Sequence, residues 1–171
     1  MFTASTSLRY PLGDIDFGAL PRTIDTTKTR AEGSERSPKP APRILAVDDD
    51  PHIRRFVTRA LSEAGYDVTA VEDAESGMAQ LLAARPDLFL LDINLPGMNG
   101  IVLTQKLQEQ RATRQVPVVI LSVRTDPRDK VAAYASGAVT YLEKPFKKQD
   151  LLDAVKLALE LAPRRARAGP G

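Results

Sequence analysis

The stretch Leu88-Phe89-Leu90-Leu91-Asp92-Ile93-Asn94-Leu95-Pro96-Gly97 decides how this chain folds. Its unbroken apolar start, without alternation, reads as a strand covered on both faces, as a parallel sheet requires. Pro96-Gly97 then punctuates the chain. Asp92 therefore stands at the mouth of a buried strand, and ligands of parallel sheets gather outside the carboxyl ends of their strands.

The pattern repeats on both sides of that segment. Ile44-Leu45-Ala46-Val47 reads as a short buried strand, and Asp50-Pro51 as a helix cap with proline at the first helical position. Ile53, Phe56, Val57, Ala60, Leu61 and Ala64 recur at helical spacing, with Gly65 closing the helix. Residues 68–71 alternate as a second strand. Asp73 caps a helix through Met78, Leu81 and Leu82 that ends near Arg85-Pro86. After Asp92, Gly97-Met98-Asn99-Gly100 separates the strand from a helix containing Ile101, Leu103 and Leu107. Residues 116–122 form a fourth strand, with Pro117 tolerated only near its beginning. Asp126-Pro127 repeats the cap-and-proline device before a helix ending at Gly137. A fifth strand follows over residues 139–143. A last amphipathic helix runs from about Lys147 to Ala162, burying Leu151, Leu152, Val155 and Leu159, and Pro163 stops it. Five strands alternating with five helices predict a three-layer α/β fold around a parallel sheet. No G-x-G-x-x-G follows the first strand, which weakens a dinucleotide-binding reading.

Composition narrows the function. A chain of 171 residues, 43% apolar and 27% charged, fits one domain with tails. The absence of cysteine excludes disulfides, thiolate metal sites and cysteine nucleophiles. No apolar run approaches the ~18 residues of a membrane span, so no membrane partner is expected and a cytoplasmic location is the default. The net charge of +2 is unevenly spread: residues 1–42 carry six bases and five acids, and residues 43–162 carry 15 bases and 17 acids. Residues 163–171 add Arg164, Arg165 and Arg167 with no acid. A nucleic-acid role would need a basic face on a recognisable reading element, so nucleic acid is not an expected partner. Residues 1–42, rich in Thr, Ser and Pro and ending in Ser37-Pro38-Lys39-Pro40-Ala41-Pro42, read as a disordered extension and linker, within which only Ile15 to Leu20 has apolar content for docking. Residues 43–162 read as the folded domain and 163–171 as a basic tail.

At the strand ends this register places Asp48, Asp49 and Asp50 after the first strand, Asp92 after the third, Ser122 after the fourth and Lys144 after the fifth. Crowded carboxylates repel by roughly 4 kcal/mol per pair at ~4 Å and an effective dielectric of about 20. They coexist when a cation sits among them or some are protonated. An all-oxygen set from few residues suits Mg²⁺, which binds through one or two carboxylates plus phosphate. With Lys144 as a second cation and Ser122 as a hydroxyl donor, the set describes a phosphoryl site with Asp92 as nucleophile.

Four segments make a resemblance specific: Ile44-Leu45-Ala46-Val47-Asp48-Asp49-Asp50-Pro51; Leu90-Leu91-Asp92 through Pro96-Gly97-Met98-Asn99-Gly100; Val118-Val119-Ile120-Leu121-Ser122; and Tyr141-Leu142-Glu143-Lys144-Pro145-Phe146. In order, spacing and strand context they resemble the receiver domain of two-component response regulators. The resemblance implies the doubly wound, flavodoxin-like receiver fold with strand order 2-1-3-4-5. It implies that Asp92 is the phosphoacceptor, that Asp49 binds Mg²⁺ directly and Asp48 largely through water, and that the backbone carbonyl of Asn94 is a further ligand. Ser122 then corresponds to the switch hydroxyl, Lys144 to the family lysine, with a cis bond to Pro145, and Tyr141 to the aromatic that turns inward when Ser122 moves. Val123, larger than the residue often found at that place, is expected to narrow access for small phosphodonors, with Arg124 facing Asn94. Asp50 is expected to cap and His52 to be solvated.

The implied function is that of a stand-alone response regulator in phosphorelay signal transduction, since only nine residues follow Ala162. Its partners would be a sensor histidine kinase or histidine phosphotransfer protein and an unknown downstream protein, with a phosphorylation-dependent dimer left open. Such a protein is not an enzyme beyond its own phosphorylation and dephosphorylation. Two other readings compete. One is a receiver-fold adaptor acting without phosphorylation. The other is a phosphohydrolase using Asp48-Asp49-Asp50 as an Asp-x-Asp motif, which would leave Asp92 unexplained.

Overall fold

The computed structural model describes residues 40–123 and 126–162. The readings for residues 1–39, for Arg124 and for the arginines beyond Ala162 lie outside the described residues. In chain order the elements are β1 (Arg43–Val47), α1 (Pro51–Glu63), β2 (Asp67–Val71), α2 (Ala74–Ala84) and β3 (Leu88–Asp92), then α3 (Gly100–Glu109), β4 (Val118–Ser122), α4 (Pro127–Ala135), β5 (Thr140–Glu143) and α5 (Lys148–Leu161). All strand pairs are parallel, in the order β2-β1-β3-β4-β5. This is the five-stranded α/β architecture expected from the sequence.

Period-two alternation divides the sheet's side chains between two apolar layers. Leu45, Val47, Phe89, Leu91, Val118 and Ile120 face α2, α3 and α4 and pack with Leu103, Leu107 and Ala133. Ile44, Ala46, Leu88, Leu90, Val119 and Leu121 face α1 and α5 and pack with Val57, Leu61, Leu151 and Val155. Every residue of β3 and β4 is buried, whereas β5 at the edge is half-buried throughout. Burying each large apolar side chain contributes about 1.5–3 kcal/mol, which is why the central strands tolerate no polar residue before their last position.

Short polar side chains set the helix starts by taking orphan backbone N–H groups. Asp50 accepts from His52 N at 2.7 Å, Asp73 from Ser76 N at 2.7 Å, Asn99 from Ile101 N at 2.7 Å and Asp126 from Arg128 N at 2.9 Å. At α5 the Asp150 carboxylate reaches back to Lys147 N at 2.9 Å. Helix α5 therefore starts one residue later than the sequence pattern suggests. Residues 116, 117 and 139 fall outside the strands: Val116 is buried but bonds back to Thr113 O at 2.8 Å, so the loop, not the sheet, takes its N–H. Phe56 and Ala64, which recur at helical spacing with the buried residues of α1, are exposed; Phe56 meets Phe146 at a ring-centroid distance of 5.9 Å. No helix among the described residues is long and apolar enough to cross a membrane.

Candidate functional site

Because every strand runs the same way, the carboxyl ends of β1, β3, β4 and β5 meet along one edge. Asp48 follows β1, Asp92 ends β3, Ser122 ends β4 and Lys144 follows β5. Backbone bonds continue the ladder past the strands: Ile93 N donates to Leu121 O at 3.1 Å, and Lys144 N to Ser122 O at 2.7 Å. These bonds fix the height at which each side chain leaves the edge.

Lys144 joins the two buried acids. Its Nζ donates to Asp48 Oδ2 at 2.5 Å and to Asp92 Oδ1 at 3.0 Å. Asp48 is 2% exposed and Asp92 3%. Their remaining oxygens accept backbone N–H groups, Asp48 Oδ1 from Asp50 N at 2.9 Å and Asp92 Oδ2 from Asn94 N at 3.1 Å. The exposed Asp49 completes a group in which one carboxylate oxygen from each of Asp48, Asp49 and Asp92 lies within 4.8 Å of the others. Asp49 and Asp92 border an open cleft of about 510 Å³ lined also by Asp50, Ile53, Asn94, Val123, Lys144 and Pro145. The Lys144–Pro145 bond is cis, as expected.

One ammonium serves two buried carboxylates, and the charges do not balance. Burial works against the Lys144 ammonium, but hydrogen bonds and charge from Asp48 and Asp92 outweigh it and hold the lysine above its ordinary pKa. Burial pushes the Asp48 carboxyl up, against the opposing pull of Lys144 and the Asp50 N–H, and the Asp92 charge adds to the rise. The site therefore retains negative charge and room for a cation. An all-oxygen set of this kind fits a hard divalent ion such as Mg²⁺.

The other sequence candidates divide. Ser122 is fully buried at the last position of β4 and shares its sheet face with Ile120, the side of α2, α3 and α4. Tyr141 lies opposite Ile120 in the β4–β5 register, one step back from the edge, half-buried against that same layer. The Lys130 ammonium sits 5.6 Å from its ring centroid and pairs with Glu143. Val123 is 63% exposed on the cleft wall. Asp50 spends its carboxylate on capping α1, and the His52 N–H holds its pKa down. His52 is exposed, with Nδ1 3.2 Å from Arg55 Nη2.

Two contributors escaped the sequence reading. Arg54 Nη1 donates to the backbone oxygens of both Asp48, at 2.7 Å, and Asp49, at 2.9 Å. Nothing in the amphipathic pattern of α1 separates it from its exposed neighbour Arg55. Gly100, read as part of a spacer, is the first residue of α3 and is buried against the Asp92 backbone; its N–H donates to Ile93 O at 2.8 Å.

Comparison with known proteins agrees with this geometry. The model of the response regulator receiver domain matches residues 44–156. The DNA-binding dual master transcriptional regulator RpaA of Synechocystis is 38% identical over 123 residues, 72% of this chain and 51% of that protein. The DNA-binding response regulator MtrA of Mycolicibacterium smegmatis is 42% identical over 117 residues, 68% of this chain and 50% of that protein. The chain thus spans about half the length of these curated relatives. Among solved structures, the chemotaxis response regulator CheY4 of Vibrio cholerae matches with a TM-score of 0.65 at 33% identity, covering 68% of this chain and 97% of that one. The chain belongs to the response regulator receiver domain family of two-component signalling.

Proposed function

We propose that Asp92 accepts a phosphoryl group from a phosphohistidine on a sensor kinase or phosphotransfer protein, and that the change in charge resets a protein-binding surface. The observation that carries this reading is the placement of Asp92: buried, bonded to Lys144, yet bordering a cleft that also holds Asp49. A carboxylate oxygen of Asp92 attacks phosphorus, a P–O bond forms and the P–N bond breaks. The electron pair of that bond returns to the imidazole, which takes a proton from solvent.

Asp48, Asp49, Asp92 and the backbone carbonyl of Asn94 would hold Mg²⁺, which when bound neutralises charge on the phosphoryl oxygens. Lys144 keeps Asp92 oriented and offers its ammonium to the product. Ser122 supplies a hydroxyl from the opposite sheet face, and its movement toward the new group frees room for Tyr141. The group adds roughly −1.5 to −2 of charge at the edge, enough to bias the surface formed by α4, β5 and α5. A downstream protein that prefers the biased surface reads the signal. DNA binding is named for RpaA and MtrA; for this chain we propose output through protein contacts. The capping role of Asp50 disfavours an Asp-x-Asp hydrolase, whose second acid would have to be free.

The test is labelling of the full chain with a phosphohistidine donor or acetyl phosphate in Mg²⁺. Wild type should take up acid-stable, hydroxylamine-labile phosphate and Asp92→Asn should take up none. Undiminished labelling of Asp92→Asn would refute the assignment.

A further inference from the structure

The three-residue connection from β1 to α1 carries two of the three grouped acids, buried Asp48 and exposed Asp49, and Asp49 lines the cleft. An exposed loop carboxylate is ordinarily mobile, and holding it in one place needs an agent. Asp49 lies between two planar peptide units, the one joining Asp48 to Asp49 and the one joining Asp49 to Asp50. Each plane is rigid, so the orientations of the two planes set φ and ψ of Asp49 and the direction of its Cα–Cβ bond. Arg54 Nη1 donates to the carbonyl oxygen of both planes, to Asp48 O at 2.7 Å and Asp49 O at 2.9 Å. The same guanidinium lies 3.8 Å from Glu72 Oε2 in the segment after β2, with its side chain only 21% exposed. Its stem leaves the first turn of α1, where Arg54 N bonds to Asp50 O at 3.0 Å.

The structure assigns Arg54 to positioning the cation-binding loop: it locks the two peptide planes around Asp49 so that this carboxylate stands beside Asp48 and Asp92 before any cation arrives. The inference rests on the proposed metal role of the three acids and adds to it the residue that preorganises them. Among the described residues the polar partners of the Arg54 side chain are these two carbonyl oxygens and Glu72, not a carboxylate of the cluster, so it acts through Asp49.

The assignment has a sign that charge alone reverses. A guanidinium close to an acidic cluster repels a divalent cation, so a purely electrostatic Arg54 would weaken binding and its removal would tighten it. A positioning Arg54 does the opposite: partners that orient metal ligands typically contribute 10- to 100-fold in affinity.

The experiment is calorimetric titration of Mg²⁺ into the full chain, for wild type, Arg54→Met, Arg54→Lys and Arg55→Met, with thermal unfolding in chelator confirming that each is folded. Arg54→Met should bind Mg²⁺ about 10-fold more weakly. Arg54→Lys, which keeps the charge but loses the guanidinium that spans both carbonyls, should remain weaker than wild type even if Arg54→Met fails to fold. Arg55→Met removes the same charge one residue away and should bind at least as tightly as wild type. Wild-type or tighter affinity in Arg54→Met, or full rescue by Arg54→Lys, overturns the positioning role. Absence of Mg²⁺ binding by wild type would instead overturn the metal assignment itself, and this inference with it.

Discussion

Replacing Gly100 with alanine reverses the usual sign of a helical glycine-to-alanine change. On helix propensity alone the substitution should stabilise α3 by up to ~1 kcal/mol. A Cβ built at Gly100, however, lies 2.0 Å from Asp92 O, 2.9 Å from Asp92 C and 3.1 Å from Ile93 Cα, all backbone atoms that no side-chain rotation can remove. Reaching even 3.0 Å from Asp92 O would require the start of α3 to retreat by ~1 Å, since the shortfall is with a fixed carbonyl. That retreat stretches the 2.8 Å bond from Gly100 N to Ile93 O inside a buried region. Overpacking costs about 1–3 kcal/mol and a buried polar pair left unmade about 1–3 kcal/mol, against a propensity gain of at most ~1 kcal/mol. The expected net loss is about 2–4 kcal/mol, a fall in melting temperature of about 10 °C for a domain of this size. Gly97→Ala separates contact from conformation. At φ +75° with nothing within 4 Å of its built Cβ, Gly97 should suffer only the left-handed backbone penalty of about 1–2 kcal/mol. Urea unfolding with chelator present measures both. A Gly100→Ala protein as stable as wild type, or more stable, would refute the close-approach argument.

Two further outcomes follow from the charge and shape of the cleft. The Asp48 carboxyl is raised above its ordinary value of 3.8, so its folded form holds a proton longer than its unfolded form. The linked stability is present below about 3.8 and is lost as pH rises through the raised folded value. In chelator, wild type should therefore lose stability relative to Asp48→Asn as pH climbs through that window, and saturating Mg²⁺ should shrink the difference; a relative gain by wild type would contradict the burial argument. Val123 stands on the cleft wall with Asp92 and Asn94, and Val123→Ala should speed labelling by acetyl phosphate several-fold while leaving urea stability nearly unchanged, a reading that fails if the rate does not rise.

Sequence was most informative where a local rule and the tertiary environment ask for the same residue. Leu88 to Leu91 is apolar at every position because both faces of β3 are covered, and Asp50, Asp73 and Asp126 precede helices because each takes a helix N–H. The strand order came from the resemblance, since periodicity does not say which parallel strands pair. Legibility failed where the cause is a contact between distant backbones or a side chain reaching main chain. Phe56 satisfies the helical period, yet α1 turns it to the rim, where Phe146 covers part of it. Arg54 and Arg55 are the same residue type on one amphipathic turn, and only the path of the preceding loop makes one of them a donor to two carbonyls. Gly100 looked like a spacer because its packing partner, the Asp92 carbonyl, is separated from it by a loop whose path the sequence does not state.

The two halves of the candidate site belong to opposite faces of the sheet, and this division constrains how a signal could leave it. Asp92 follows the alternation of Leu88 and Leu90 toward α1 and α5, and Lys144 that of Leu142, whereas Ser122 and Tyr141 lie on the side of α2, α3 and α4. Lys144 is already committed to Asp48 and Asp92, so added charge on Asp92 would strengthen a contact that exists and move little. Ser122 is different: it would have to cross the edge to reach the new group, and Tyr141 sits one register step behind it on the same face. A hydrogen bond to a charged oxygen contributes about 1.5–3 kcal/mol, which is what would draw Ser122 over. One contact that would oppose the onward movement is the tether of Lys130 to Glu143 and the Tyr141 ring, and both members of that ion pair are about 40% exposed. Exposed pairs hold weakly and are screened by salt. Under the proposed assignment the weak link in the chain of contacts would therefore lie between α4 and β5, not at Lys144, and α4, with Val131 and Tyr134 exposed on it, would be the element to yield.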